Sequence, residues 1–133
     1  MLLAAGLIFL WALFLGVWKY HGMATSKKGL AHPYVDTAHR AALLYSFATL
    51  LIAVFVELSG WSTAVNLVAA FATIGFFVIA IASYTVTGAT KMTDNHFRDP
   101  MTKGITPYMW ALIVTEIAGF SVLLAGFASA QIL

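Results

Sequence analysis

The chain has no cysteine and few charged residues. With no cysteine among its 133 residues, it has no disulfide, thiolate metal ligand or cysteine nucleophile. Charged residues make up only 9% of it, whereas a soluble domain has about 25%. The sequence also lacks a glycine-rich phosphate loop, a Walker pattern, an HExxH motif and internal repeats. This composition excludes an ordinary soluble domain.

Long apolar runs dominate the chain instead, and 62% of the residues are hydrophobic. Four runs can each cross the roughly 30 Å of a bilayer core as a helix, and they are Leu2–Trp18, Ala41–Leu58, Ala64–Val86 and Tyr108–Phe127. They are continuously apolar rather than alternating, which favours helices over a barrel. The sequence therefore predicts an all-α membrane protein, a single four-transmembrane-helix bundle over residues 1–133, with helices at about 2–20, 38–58, 63–86 and 107–128. The first run lacks the flanks of a signal peptide, so we expect it to be retained.

The basic residues predict the orientation of the bundle. All seven lie in or beside the two long connections, and they are Lys19, Lys27, Lys28, Arg40, Lys91, Arg98 and Lys103. By the positive-inside rule, we expect these loops to be cytoplasmic and both termini to lie on the non-cytoplasmic side, in a bacterial inner (plasma) membrane. The net charge of +2 is then explained by the membrane topology, and no nucleic acid partner is needed to explain it.

Glu116 lies near the middle of the fourth apolar run, where an ionised carboxylate costs several kcal/mol unless it is paired or hydrated. A neutral carboxyl that donates to a neighbouring helix would be one solution, and Glu116 would then only hold helices together. A place in a substrate or proton path is the other interpretation.

Two helix faces carry the remaining polar groups. In the second helix, His39, Ala42, Ser46, Thr49 and Ala53 share one face of small residues, which is typical of close helix packing. In the third helix, a stripe of mixed polar and aromatic residues should face the bundle interior, because lipid offers no hydrogen-bond partners. Its members are Asn66, Thr73, Phe77, Ala80, Tyr84 and Thr87.

His39 follows a plausible N-cap, Asp36 or Thr37, so it falls in the first turn of the predicted second helix. Its neighbour Arg40 can reach back to headgroups or loop carboxylates. The short imidazole cannot do this, and the small-residue face points it inward. It is either a structural histidine at the membrane interface, bonded to a loop carbonyl, or a neutral ligand for a metal or haem.

The approach to the second helix, "GLAHPYVDTAH", and the end of the third, "ASYTVTGATKM", together with four short-looped helices, resemble the styrene oxide isomerase and hydroxylaminobenzene mutase family. The resemblance covers most of the chain. It implies a homotrimer that binds haem b near the cytoplasmic end through His39, the metal ligand, with Ala42, Ser46 and Thr87 beside the cofactor. The iron would act as a Lewis acid on a small apolar substrate that arrives through the lipid bilayer.

The chain departs from the family pattern at its polar positions. Tyr45 stands where the family has an asparagine, and Thr73 and Tyr84 are the nearest matches to an aspartate and an aromatic hydroxyl. Tyr45, Tyr84 and Glu116 are accordingly the candidate catalytic residues of a possible haem-dependent isomerase or mutase.

Other functions stay open. The alternative from a different class is a non-catalytic accessory subunit of a larger membrane enzyme or respiratory complex. A small transporter with Glu116 on its path is a third, although four helices leave little lumen. A metal site in the polar segment "KMTDNHFRDP", formed by Asp94, His96 and Asp99 with His32, competes with a simple solvated loop, because the spacing matches no fixed ligand motif.

Overall fold

The computed structural model describes residues 1–98 and 104–132, and the regular structure of these residues is entirely helical. The helices are α1 (Leu2–Thr25), α2 (Pro33–Leu58), α3 (Thr63–Thr90) and α4 (Ile105–Gln131). All are long and apolar enough to cross a membrane. The prediction of four apolar helices that fit an integral membrane protein is confirmed within the described residues.

The helices α1, α2 and α3 extend further toward the long connections than the sequence predicted, and one N-cap was placed wrongly. The α2 helix begins at Pro33, with His32 as its N-cap in place of Asp36 or Thr37. Proline suits the first helical position because its missing N–H is unpaired there in any case. Pro107 likewise lies in the first turn of α4. His39 is therefore in the second turn of α2, and Pro100 lies outside the described residues.

The α2 helix is the centre of the bundle, because it packs on α1, α3 and α4, and α3 packs on α4. Buried hydroxyls in this core bond within their own helices. Thr49 donates to the carbonyl of Tyr45 and Thr73 to that of Ala69, at 2.7 and 2.9 Å. Such bonds let hydroxyls be buried without help from water.

The α3 and α4 helices approach most closely at Gly119. A Cβ atom at this position would collide with Oγ1 of Thr73 and lie 3.1 Å from the carbonyl oxygen of Ala69. Only glycine leaves room for this contact, which is the usual role of small residues between membrane helices. This contact brings α4, and with it Glu116, against α3.

Different interactions stabilise the two ends of the bundle, hydrogen bonds at one and ion pairs at the other. At the end with the short turn 59–62, the Gly60 N–H donates to the Gly126 carbonyl at 2.9 Å, and the Trp61 indole N–H donates to Val122 at the same distance. At the opposite end, which we call the loop end and which holds residues 19–40, 84–98 and 104–108, Asp36 pairs with Lys19 and Arg40. The carboxylate partner of Arg40 therefore lies one turn earlier in the same helix, not in a loop.

Candidate functional site

Tyr45 connects three helices at the centre of the candidate site. Its ring, on α2, stacks on Phe77 of α3 with centroids 4.1 Å apart and planes only 9° from parallel. Its hydroxyl and the Glu116 carboxyl on α4 lie close enough to interact electrostatically. The stacking fixes the ring, so the hydroxyl has a defined position beside Glu116.

Two polar atoms of α4 near this point lack partners. Oε1 of Glu116 and the hydroxyl oxygen of Tyr108 are both buried, without a hydrogen bond from any described residue. Tyr84 and Tyr108 are also close enough to interact electrostatically with Glu116. An unpaired buried polar atom is costly, so this group is suited to a ligand that supplies a polar atom of its own.

A cleft of about 360 Å³ opens beside Tyr45 and Glu116. Apart from these two residues and Thr73, its walls are apolar, and they comprise Leu44, Ala48, Leu51, Ile52, Phe77 and Phe120. A second cleft of about 300 Å³ lies toward the loop end, lined by Tyr84, Arg40 and Thr37, and it shares Leu44 and Tyr45 with the first. The arrangement suits a small apolar molecule with a single polar group.

His39 faces α1. Its Nδ1 atom lies 2.9 Å from the carbonyl oxygen of Ala12. A carbonyl oxygen only accepts hydrogen bonds, so Nδ1 carries the hydrogen and Nε2 of a neutral ring keeps its lone pair. The ring also presses on Gly16, where a Cβ atom would lie 2.9 Å from Cε1. The partner is a carbonyl within α1, not the loop carbonyl that the structural interpretation predicted.

The donor chemistry of His39 fits an iron ligand, because a carbonyl that accepts from one imidazole nitrogen orients the other toward a metal. The helix face around it does not fit a porphyrin within a single chain. Ala42 is fully buried in the core formed with α1, and the buried hydroxyl of Ser46 donates to Leu43. The packing role predicted for this face is confirmed at Ala42, Ser46 and Thr49, which are buried.

Thr87, the fourth predicted cofactor contact, lies apart from the other three. Its hydroxyl donates to the Ser83 carbonyl at 2.9 Å and lies 3.1 Å from Nε2 of His96. The single hydrogen of the Thr87 hydroxyl is donated to Ser83. The Thr87 oxygen therefore accepts a hydrogen bond from Nε2–H of His96.

The candidate residues thus separate into two groups. Six positions separate His39 from Tyr45 along α2, which turns the side chains about 120° apart around the helix. Tyr45, Tyr84 and Glu116 come together between α2, α3 and α4, while His39, Ala42 and Ser46 face α1. The α3 stripe that supports the first group is buried as predicted at Asn66, Thr73, Phe77, Ala80 and Thr87.

Two further tyrosines, Tyr34 and Tyr108, are packed within the bundle. Tyr34 is buried, and its hydroxyl accepts a 2.9 Å hydrogen bond from the backbone N–H of His96. The Tyr108 hydroxyl is buried near Glu116. The spacing of Tyr108 and Glu116, about two helical turns, was a signal for their shared face. No sequence signal connected Tyr34 to His96.

Of the described residues of the alternative metal site, His32 and Asp94 lie together but His96 does not join them. Nδ1 of His32 accepts from the Tyr34 N–H, and its Nε2 approaches Oδ1 of Asp94 at 3.1 Å without hydrogen-bond alignment. His96 turns to Thr87. Within residues 1–98 and 104–132, no group of three histidine or carboxylate side chains could hold a metal ion. Asp99 lies outside the described residues.

Comparison with known protein families, curated proteins and solved structures finds no match to this chain. Its chemistry must therefore be argued from its own residues.

Proposed function

We propose that this integral membrane protein binds a small apolar molecule bearing one oxygen function in the cleft beside Tyr45 and Glu116, and isomerises it there. The observation that carries the proposal is the meeting of the Tyr45 hydroxyl and the Glu116 carboxyl at a cleft whose other walls are almost wholly apolar. A substrate dissolved in the bilayer could enter such a cleft without crossing water.

The unpartnered oxygen of Glu116 supports the same proposal. Its Oε1 atom has no hydrogen bond from the described residues, and a ligand oxygen would supply one. The aromatic rings of Phe77 and Phe120 offer apolar contact to the remainder of the molecule.

For an epoxide of the styrene oxide type, the proposed reaction needs no oxidant or reductant. A neutral Glu116 carboxyl gives its proton to the epoxide oxygen, which the Tyr45 hydroxyl orients, and the benzylic C–O bond breaks. A hydride then moves from the terminal carbon to the benzylic cation, and the Glu116 carboxylate takes the proton back from oxygen. The product is the aldehyde, and both residues end in their starting state.

Haem b at His39, in a trimer, stays a prediction. The lone pair on Nε2 favours it, and a porphyrin would have to lie outside the contact between α1 and α2. Bound haem would supply a Lewis acid. The test is an oxidised and reduced absorption spectrum of the purified protein, in which a Soret band that His39→Ala removes supports the prediction and the lack of a band contradicts it.

Conversion of styrene oxide to phenylacetaldehyde by the purified protein in liposomes tests the isomerase proposal. Glu116→Gln should lower the rate by about a hundredfold or more, since loss of a general acid typically costs that much. Glu57→Gln, at the exposed short-turn end, is the matched control and should leave the rate unchanged. No turnover by the wild type, or equal rates for all three proteins, would contradict the proposal.

The accessory-subunit alternative has one observation in its favour. An apolar groove of about 570 Å³ runs between α3 and α4, lined in part by Ala64, Ala72, Ala118 and Gly119. Small residues of this kind admit a neighbouring helix closely. Stoichiometric co-purification with a different chain, without any turnover, would favour this function over the isomerase.

A further inference from the structure

A separate cleft lies at the loop end, away from Tyr45 and Glu116. Its volume is about 770 Å³, the largest of the clefts described here. The end of α1, the connection 26–32, the first turn of α2 and the end of α3 form its walls. We call it the loop-end cleft. Its polar lining residues are His21, Thr25, Ser26, Lys28, His32, Lys91 and Asp94.

Close backbone contacts hold these walls in place. A Cβ atom at Gly88 would lie 2.8 Å from Cγ2 of Val35 and 3.1 Å from its backbone nitrogen, so the end of α3 presses on the first turn of α2. A Cβ atom at Gly22 would lie 3.4 Å from Cβ of Ala31, which is an ordinary packing distance. Gly29, with a φ of +65°, permits the chain to turn in the connection from α1 to α2. The cleft is therefore bounded by packed backbone.

Positive charge is in excess around the loop-end cleft. Lys28 and Lys91 have no carboxylate partner among residues 1–98 and 104–132, and His21 adds a third basic group. The one acidic lining residue, Asp94, is in contact with His32. Asp36, which lies nearby in α2, forms ion pairs with Lys19 and Arg40. The carbonyls at the ends of α1 and α3 offset part of this charge.

Lys91 has an unusual backbone. It caps α3 in the left-handed region, with φ 53° and ψ 31°, and among the described residues it alone has a positive φ without being glycine. Glycine is the usual residue at such a helix end because it has no Cβ penalty. A lysine here accepts that strain at a position that lines the cleft.

We propose that the loop-end cleft binds an anionic phosphate or carboxylate group, carried either by a water-soluble molecule or by a lipid headgroup. The positive-inside rule explains an excess of lysine at this end of the bundle. It does not explain why Lys28 and Lys91 converge on one cleft, which the adjacent Lys27 does not line.

Binding of a water-soluble anion is tested by calorimetry, with the full chain in phosphatidylcholine nanodiscs titrated with inorganic phosphate and with citrate. We expect the double variant Lys28→Gln/Lys91→Gln to bind about tenfold or more weakly, as for loss of charge-assisted hydrogen bonds. Lys27→Gln is the matched control and should bind as the wild type does. Lys91→Arg should retain binding, and added salt should weaken it.

The lipid source is tested by adding phosphatidylglycerol to the nanodiscs and measuring the lipid retained on the protein by native mass spectrometry. Retention by the wild type and Lys27→Gln, lost in the double variant, assigns a headgroup as the ligand. If no anion binds in either arm, or if Lys27→Gln loses as much binding as the double variant, the proposal is overturned. Both lysines are exposed, so the variants should fold, which circular dichroism checks.

Discussion

Glu116 owes its position to three neighbours rather than to a counter-charge. Tyr45 brings a hydroxyl to its carboxyl, and Tyr84 and Tyr108 lie nearby. Phenol groups bond a neutral carboxyl well and stay neutral themselves, which avoids burying an ion. The sequence predicted the cost of Glu116 but could not specify its partners, because these come from the crossing of α2, α3 and α4.

Removal of the Tyr45 hydroxyl tests its orienting role. Tyr45→Phe keeps the ring that stacks on Phe77, so the fold should be retained while conversion of styrene oxide falls about tenfold, as for one lost hydrogen bond to a reacting group. Tyr20→Phe, on the exposed surface of α1, should change nothing. An unchanged rate for Tyr45→Phe would remove this hydroxyl from the reaction.

Among the helices, α2 presents one face to α1 and another to α3 and α4. Helical spacing in the sequence correctly predicted its small-residue face and the buried stripe of α3. It could not predict that α1 covers His39 and Ala42, because nothing in the spacing specifies which helix lies opposite a given face. Helix ends were missed where Pro33 and Pro107 lie in first turns, which are positions where proline is tolerated.

The contact of α3 with α4 gives a prediction for stability. Gly119→Ala should lower the free energy of unfolding by about 1–3 kcal/mol, because the new methyl group meets Thr73 and the Ala69 carbonyl. Thermal unfolding in detergent measures this. Gly75→Ala, on α3 with open space around it, is the control and should be neutral or stabilising. Equal effects of the two substitutions would contradict the close approach.

The contact of α1 with α2 depends on the same principle at Gly16. A methyl group there would displace the His39 ring, since it would lie 2.9 Å from Cε1. Gly16→Ala should therefore lower the melting temperature in detergent, whereas Gly6→Ala, with nothing within 4 Å, should not. Equal melting temperatures for Gly16→Ala and the wild type would show that the ring does not pack there.

Because the chain has no native cysteine, the orientation of the bundle in the membrane can be tested directly with single introduced cysteines. The positive-inside rule predicts that Lys27 is cytoplasmic and Ser62, in the short turn, is on the opposite side. In intact cells, a membrane-impermeant maleimide should label Ser62→Cys but not Lys27→Cys. The reverse labelling pattern would mean that the bundle is inserted the other way.

The central claim is specific binding beside Tyr45 and Glu116, and the most direct measurement is ¹⁹F NMR of 2-(4-fluorophenyl)ethanol with the protein in nanodiscs. We expect the wild type to give a saturable bound signal above the linear partitioning into protein-free nanodiscs. The signal should persist in Glu57→Gln and be lost in Glu116→Gln. Uptake that stays linear with the wild type, or that saturates equally in Glu116→Gln, would contradict it.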